Sequence, residues 1–206
     1  MNQLPPDILS IAVPIAIVLA SLTVHEAAHA WTADRLGDPT ARLLGRVSLN
    51  PIVHIDPIGT LLLPLLAAVS NLPIIGWAKP VPVNTSRLRH PRRDFMFIAA
   101  AGPASNILLA FLGAAAVAAT ATPSYGSSPL LQFVEINILL AMFNLVPVPP
   151  LDGGNVLAGL LPPSAASVLD RVRPFGFIIL YAMMFTGVLN ALIMPPARLL
   201  WGLLIP

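Results

Sequence analysis

Two histidines four residues apart, with a glutamate directly after the first, are the residues whose types and spacing most clearly predict chemistry. They lie in the segment Thr23-Val-His-Glu-Ala-Ala-His29. Side chains four residues apart share one face of a helix, so the imidazoles of His25 and His29 can reach a single metal ion. Glu26 would lie near the same ion, where a carboxylate can take a proton from metal-bound water. The segment therefore predicts a hydrolytic metal centre.

A third protein ligand is needed, because a catalytic zinc takes three protein ligands and keeps one position open for water. The chain has no cysteine, which leaves His54, His90 and the nine acidic residues as candidates. Asp152 stands out in Asn144-Leu-Val-Pro-Val-Pro-Pro-Leu-Asp152-Gly-Gly, at the end of an apolar stretch. Prolines interrupt the helix and glycines permit unusual backbone angles, so a carboxylate there can be directed inward. A turn or capping aspartate is the alternative interpretation.

The composition indicates that these residues lie in a membrane. Hydrophobic residues make up 56% of the 206 residues and charged residues 10%, with a mean hydropathy of +0.82, whereas soluble domains carry about 25% charged residues. This excludes a soluble enzyme, and a net charge of +2 without a basic face excludes a nucleic-acid-binding protein. Burying a charged residue in lipid costs about 2.5–3.5 kcal/mol, which favours a functional site over the alternative of a solvated helix end.

Four stretches are long and apolar enough to span a bilayer, which takes roughly 20 residues. They cover about 8–31, 95–122, 130–148 and 175–194. The stretch 57–77 is also apolar but contains three prolines and is flanked on both sides by arginines. Because positive loops lie in the cytosol, we predict a re-entrant hairpin there, with a full span as the alternative. Segments 46–49 and 80–83 are predicted to form short edge strands beside it.

The predicted fold is an all-α polytopic membrane protein with about four to six transmembrane segments, a re-entrant hairpin and short membrane-associated β-strands. We predict one membrane-embedded domain over 1–206, with a core at about 8–160 and a last transmembrane segment at about 174–195. The first span is expected to be a permanent helix, because no basic residue precedes it. The first and third spans would both run toward the cytosol, which places His25, His29 and Asp152 at the same depth.

The sequence resembles the site-2 protease family of intramembrane zinc metalloproteases, peptidase family M50, over roughly 8–160. The resemblance is carried by His-Glu-Ala-Ala-His-Ala, by Asn-Leu-Val-Pro-Val-Pro-Pro-Leu-Asp-Gly-Gly, and by Ala101-Gly-Pro-Ala-Ser-Asn106 between them. Residues 50–60 are similar to a stretch of small bacterial members without PDZ or CBS domains. The resemblance implies one Zn²⁺ per chain, bound by His25, His29 and Asp152, with Glu26 as the general base.

Three further residues are candidates for contact with a substrate. The resemblance places Asn106 near the scissile bond, where it could donate to the tetrahedral oxygen; an interhelical hydrogen bond is its structural alternative. Asn144 belongs to the second motif and is expected to contact the substrate. His54 is expected to border the entrance, or else to be a loop histidine without a metal role. His90, between Arg89 and Pro91, is expected on the surface.

The resemblance implies a zinc metalloendopeptidase that cleaves a peptide bond within or near a transmembrane segment of another protein, as in regulated intramembrane proteolysis. Its partners would be that substrate and the lipid bilayer, not nucleic acid, and a homo-oligomer is compatible with the sequence. The expected location is the plasma membrane of a bacterium, with the active site nearer the cytosolic face. A transporter or proton relay that uses the same His, Glu and Asp, and a catalytically silent membrane scaffold, are the alternatives.

Overall fold

The computed structural model describes residues 8–62, 69, 76–120 and 128–205, and the regular structure within them is helical. Two long helices dominate: α1 covers Ile8–Arg35 and, after the short helix α2 at Thr40–Leu43, α3 covers Pro91–Ala119. Five helices follow in the second half of the chain: α4 at Pro129–Asn144, α5 at Asp152–Leu160, α6 at Pro163–Val172, α7 at Gly176–Phe185 and α8 at Val188–Leu204.

The long helices α1 and α3 are the two described helices that are long and apolar enough to cross a membrane by themselves. They agree with the first and second predicted spans. Helix α4 has 16 residues, which corresponds to a length of about 24 Å. It ends at Asn144 because the chain turns there, where the proline-rich segment begins.

The predicted span at 175–194 is not one continuous helix in the structure, because the described chain breaks at Gly187. This glycine has a φ of 76°, a left-handed conformation that ends α7 and starts α8. The helical stretches Pro163–Phe185 and Val188–Leu204 meet at 76° and count at most as one bent span. The described residues therefore contain two or three candidate spans rather than four to six, and the prediction of a single domain stays a prediction.

Helix α3 lies at the centre of the bundle and packs against α1, α4 and α5. Its contact faces are built from small residues, among them Gly102, Ala110 and Gly113. A Cβ added to Gly113 would lie 2.8 Å from the ring of Phe133 in α4. Because lipid offers no hydrophobic drive for helix association, such small residues let the backbones approach closely.

The segments 46–49 and 80–83 are not strands, contrary to the prediction; they run without a β-ladder in the described structure. The guanidinium of Arg46 donates to the backbone carbonyl of Lys79 in place of a backbone partner. Lys79 in turn donates its N–H to the carbonyl of His54 at 2.8 Å. Pro80 and Pro82 have no N–H to contribute, so single bonds rather than a ladder connect these segments.

The two ends of the predicted re-entrant hairpin lie side by side. The N–H of Trp77 donates to the carbonyl of Gly59 at 3.1 Å, and the Thr60 hydroxyl donates to the carbonyl of Trp77 at 2.8 Å. Residues 57–62 form a π-helical turn, whereas 63–68 and 70–75 lie outside the described residues. Adjacent ends are what a re-entrant segment requires, and the course between them stays a prediction.

A buried carboxylate connects the loop after α1 to the segment before α3. Asp38 accepts hydrogen bonds from the N–H and hydroxyl of Thr40 and from the N–H of Asn84. Burial raises the pKa of Asp38, but these hydrogen bonds and the positive charge of Arg87 outweigh it, so the pKa lies below its ordinary value. The charged form of Asp38 therefore stabilises this connection.

Candidate metal centre

The second half of α1 carries His25 and His29 into its contact with α3. Their side chains are buried, with 3% and 7% of the residue surface exposed. Being one helical turn apart, the two rings meet edge to face, with centroids 4.6 Å apart. Asp152 is the first residue of α5, directly after the proline-rich turn, and its carboxylate lies next to both imidazoles. The structure therefore brings the three predicted ligand residues together.

Three ligand atoms converge between α1 and α5. The Nε2 atoms of His25 and His29 are 3.0 Å apart, and Oδ2 of Asp152 lies 3.1 Å and 3.3 Å from them. Among the described residues these three form the group that could hold a metal ion. The centre of such a triangle is about 1.8 Å from each corner, which is close to the distance of about 2.0–2.1 Å that zinc keeps from nitrogen and oxygen ligands.

Both imidazoles direct a lone pair, rather than a proton, at this centre. Nδ1 of His29 is 2.6 Å from the carbonyl oxygen of Ile98, and Nδ1 of His25 is 2.6 Å from Oδ1 of Asn106. Both partner atoms can only accept, so each Nδ1 donates and each neutral ring keeps its lone pair on Nε2. When both rings are neutral, two lone pairs and a carboxylate oxygen this close together repel one another unless a metal ion or a proton lies among them. The donor set thus fits a divalent metal.

Gly102 of α3 leaves open the space that the two imidazole nitrogens face. A Cβ at this position would stand 2.5 Å from Nε2 of His25 and closer still to Nε2 of His29. Any side chain would therefore occupy the volume next to the ligand atoms. The residue type of Gly102 predicts no role by itself; its position inside the Gly-Pro motif that ends at Asn106 is the one indication in the sequence.

Similarity to known proteins agrees with this donor set. "Putative zinc metalloprotease YwhC" of Bacillus subtilis is 36% identical over 183 residues, which cover 84% of this chain and 80% of the relative. "Putative zinc metalloprotease Rip2" of Mycolicibacterium smegmatis is 32% identical over 181 residues, covering 85% and 68%. The model of peptidase family M50 matches residues 117–187. The chain belongs to peptidase family M50. No solved structure matches it.

The M50 assignment makes the chain a site-2 protease-like zinc metalloprotease with membrane helices, and its relatives above are bacterial. This confirms the family and the enzyme class that the sequence resemblance implied. Zinc is the metal in the relatives' names. The structure adds that three residues able to bind it lie together in this chain.

Asn106 of this M50 chain lies behind His25, where both ends of its amide are engaged. Its Oδ1 accepts from His25, and its Nδ2 donates to Oδ1 of Asn137 at 3.0 Å. Asn137 donates to Oγ of Ser21 and to the carbonyl of Phe133, each at 2.9 Å. The expected contact of Asn106 with a scissile bond stays a prediction. Sequence reasoning missed Asn137, although an asparagine within the apolar stretch 130–148 was a visible anomaly.

Glu26 is half-buried, lies within electrostatic reach of His29 and makes no ion pair with a described residue. A buried cation lies within its electrostatic reach: burial lowers the pKa of Arg46, and the negative charge of Glu26 opposes that shift. Arg46 is held in place by its donation to the carbonyl of Lys79. From the sequence alone, Arg46 is a loop charge and the first residue of a predicted strand.

The remaining candidates do not join the ligand atoms. His54 is buried in its loop, where Nε2 donates to the carbonyl of Ser48 at 2.8 Å. Asn144 ends α4 and donates to the carbonyl of Leu140 at 2.9 Å. Their contacts with a substrate stay predictions. The side chain of His90 is 62% exposed, as expected for a surface residue.

Proposed function

We propose that this M50 protein is an intramembrane zinc metalloendopeptidase in which His25, His29 and Asp152 hold one Zn²⁺ per chain. The observation that carries the proposal is the convergence of two imidazole lone pairs and a carboxylate oxygen in a buried site next to a membrane helix. A bound zinc supplies a water of lowered pKa and polarises the peptide carbonyl.

Glu26 is the proposed general base. It directly follows His25 in α1, and its carboxylate lies within electrostatic reach of His29. In this position it can accept the proton of the attacking water and later pass it to the leaving nitrogen.

The charge distribution supports a site near the cytosolic face of the plasma membrane. Arg35 ends α1 and lies six residues after His29, about 9 Å along the helix. Arg92 and Arg93 lie in the first turn of α3, and Arg92 donates to the carbonyl of Ala158 in α5. The ends of α1 and α3 that carry arginines therefore lie at the same end of the bundle as the ligand atoms. By the positive-inside rule this end faces the cytosol.

The proposed substrate is a transmembrane segment of another protein that unwinds locally to expose a peptide bond. Residues 47–49 run alongside α1, and the two line an apolar groove of about 330 Å³ whose α1 side is formed by Val24, Ala27, Ala28 and Trp31. Leu49 is 70% exposed. Neither Val47 nor Leu49 donates a backbone hydrogen bond to a residue in the described ranges. The backbone N–H groups of Val47 and Leu49 could therefore pair with the backbone of an unwound substrate segment, which would reach this groove from the bilayer.

The test compares Glu26→Gln with Glu135→Gln, a substitution of the exposed glutamate in α4. Each full-length protein is purified in detergent, its zinc is measured by mass spectrometry, and cleavage of a tagged single-span membrane protein is followed on gels. We expect one zinc per chain in all three proteins, with product from the wild type and E135Q but none from E26Q.

Three outcomes would contradict the proposal. A wild-type protein that binds no zinc would refute the metal centre, and E26Q that still releases product would refute the base. Proton flux in liposomes that is lost in E26Q, with no cleavage by the wild type, would favour the relay. A homo-oligomer stays a prediction, which the size of the purified protein in detergent would check.

A further inference from the structure

We propose that Asn137 is a positioning residue for the metal centre, because it fixes the amide of Asn106 and, through it, the His25 tautomer whose Nε2 can bind metal. The inference rests on the proposed function, since it concerns the same ligand set. It assigns a task to a buried asparagine that is neither a ligand nor in contact with one.

The geometry is a chain of hydrogen bonds through three helices. His25 in α1 contacts Asn106 in α3 at 2.6 Å, Asn106 contacts Asn137 in α4 at 3.0 Å, and Asn137 contacts Ser21 in α1 at 2.9 Å. Ser21, Asn106 and Asn137 are fully buried. Because Ser21 precedes His25 by one turn, the chain begins and ends on the same helix.

The direction of this chain is determined by the amide groups. A primary amide donates from its nitrogen and accepts at its oxygen, so the acceptor Oδ1 of Asn137 holds the Nδ2 end of Asn106. The Oδ1 end of Asn106 must then face His25, which requires a proton on Nδ1 of that ring. In the flipped orientation Asn106 would present N–H to Nδ1. The proton of His25 would then move to Nε2, and that atom could no longer bind metal.

The tautomer of His29 does not depend on the orientation of a side-chain amide. Its Nδ1 donates to the backbone carbonyl of Ile98, an acceptor that cannot rotate into a donor. The two metal-facing histidines are therefore held differently, and only His25 depends on a side chain with two orientations. This asymmetry is the reason to assign Asn137 to positioning rather than to helix association alone.

The experiment measures zinc affinity of the full-length protein in detergent by competition with a chelator, and the Co²⁺ absorption spectrum as a second readout. Asn137→Leu removes the acceptor while preserving volume, and Asn137→Asp keeps an oxygen that accepts from Asn106. Loss of a residue that orients a metal-binding histidine lowers affinity about 10–100-fold. We expect such a loss in N137L with an altered Co²⁺ spectrum. The loss should be smaller in N137D, which keeps the acceptor for Asn106 but loses the donation to Phe133. The control Asn190→Leu, at an exposed position of α8, should show no change.

Repeating the N137L substitution in a protein that also carries Asn106→Asp separates a positioning role of Asn137 from a packing role. In Asn106→Asp the carboxylate offers an oxygen to His25 in either orientation, so adding N137L to N106D should cost little further affinity. If N137L does not fold, Asn137→Ala removes the same acceptor and takes its place in both backgrounds.

Equal losses with and without N106D, or unchanged affinity in N137L, would overturn the inference. A wild-type protein without zinc would instead refute the proposed function. The two failures are therefore distinguishable.

Discussion

Adding one methyl group to Gly102 should weaken metal binding on the order of 100-fold without unfolding the helices. The Cβ of Gly102→Ala would lie 2.5 Å from Nε2 of His25 and closer to Nε2 of His29. An ordinary carbon–nitrogen contact is about 3.5 Å, so the rings must retreat by about 1 Å. Both rings are tied at Nδ1, to Asn106 and to Ile98, so retreat also stretches two buried hydrogen bonds.

The expected loss of zinc affinity follows from how little metal sites tolerate changes in ligand distance. Ligand distances in a functional site stay within about 0.2 Å of their ideal values, so a displacement of about 1 Å removes at least one ligand. Structural zinc binding is worth about 10–16 kcal/mol over four ligands, or about 3 kcal/mol per ligand, which corresponds to on the order of 100-fold in affinity. The methyl group itself costs about 1–3 kcal/mol as overpacking.

The assay pairs G102A with Gly113→Ala, three turns later on α3, where an added Cβ meets the side chains of Phe133 and Val134. Both variants overpack a helix contact, and only G102A does so at the ligand atoms. Zinc affinity and thermal unfolding without metal are measured in detergent. We expect similar small losses of thermal stability in both variants and a loss of zinc affinity in G102A alone. Equal zinc affinity in the two variants would refute the assignment of this space to the metal.

Three further substitutions test separate parts of the structure. Asp152→Asn removes the charge among the ligand atoms, so zinc affinity should fall by at least about tenfold in chelator competition. Asp38→Ala should lower the free energy of unfolding by about 1.5–3 kcal/mol at neutral pH. Because the pKa of Asp38 is lowered in the folded state, this contribution to stability is present above the ordinary aspartate pKa and is lost as the pH falls through the folded pKa. Unfolding midpoints of D38A and the wild type, measured from pH 2 to 7, would show this difference. Arg46→Ala should slow cleavage about 100-fold through a misplaced loop while leaving one zinc per chain, as kinetics and metal analysis would show.

The ligand residues could be predicted from the sequence because each depends on local rules. The spacing of His25 and His29 places them on one helix face whatever surrounds the helix. The prediction of Asp152 as a ligand needed only that its apolar stretch end at the same membrane depth as α1, and the predicted direction of the spans determines that depth. A scarce, charged residue after a proline-rich break in a membrane protein also has few other uses.

The partners of Asn106 could not be predicted, because they depend on how three helices pack. Its position in a motif indicated importance, but its orientation is determined by Asn137 and Ser21, which lie 31 and 85 residues away in sequence. The break at Gly187 was missed for a related reason: a lone glycine in an apolar stretch is compatible with a continuous helix. The strands at 46–49 and 80–83 failed because alternation predicts extended backbone but not a partner for it.

Two helix faces contribute residues to the metal centre, and on both faces these residues are spaced four apart in sequence. On α1, Ser21, His25 and His29 follow at intervals of four residues, and on α3 Ile98, Gly102 and Asn106 do the same. The two rows match in opposite order: Ile98 accepts from His29, Gly102 leaves space for both rings, and Asn106 accepts from His25. Residues four apart lie one above another on a helix, so one contact supplies the ligands, their orienting acceptors and the space for the ion. A single residue inserted between Gly102 and Asn106 would rotate Asn106 by about 100°, which removes the acceptor from His25 while the space at Gly102 remains.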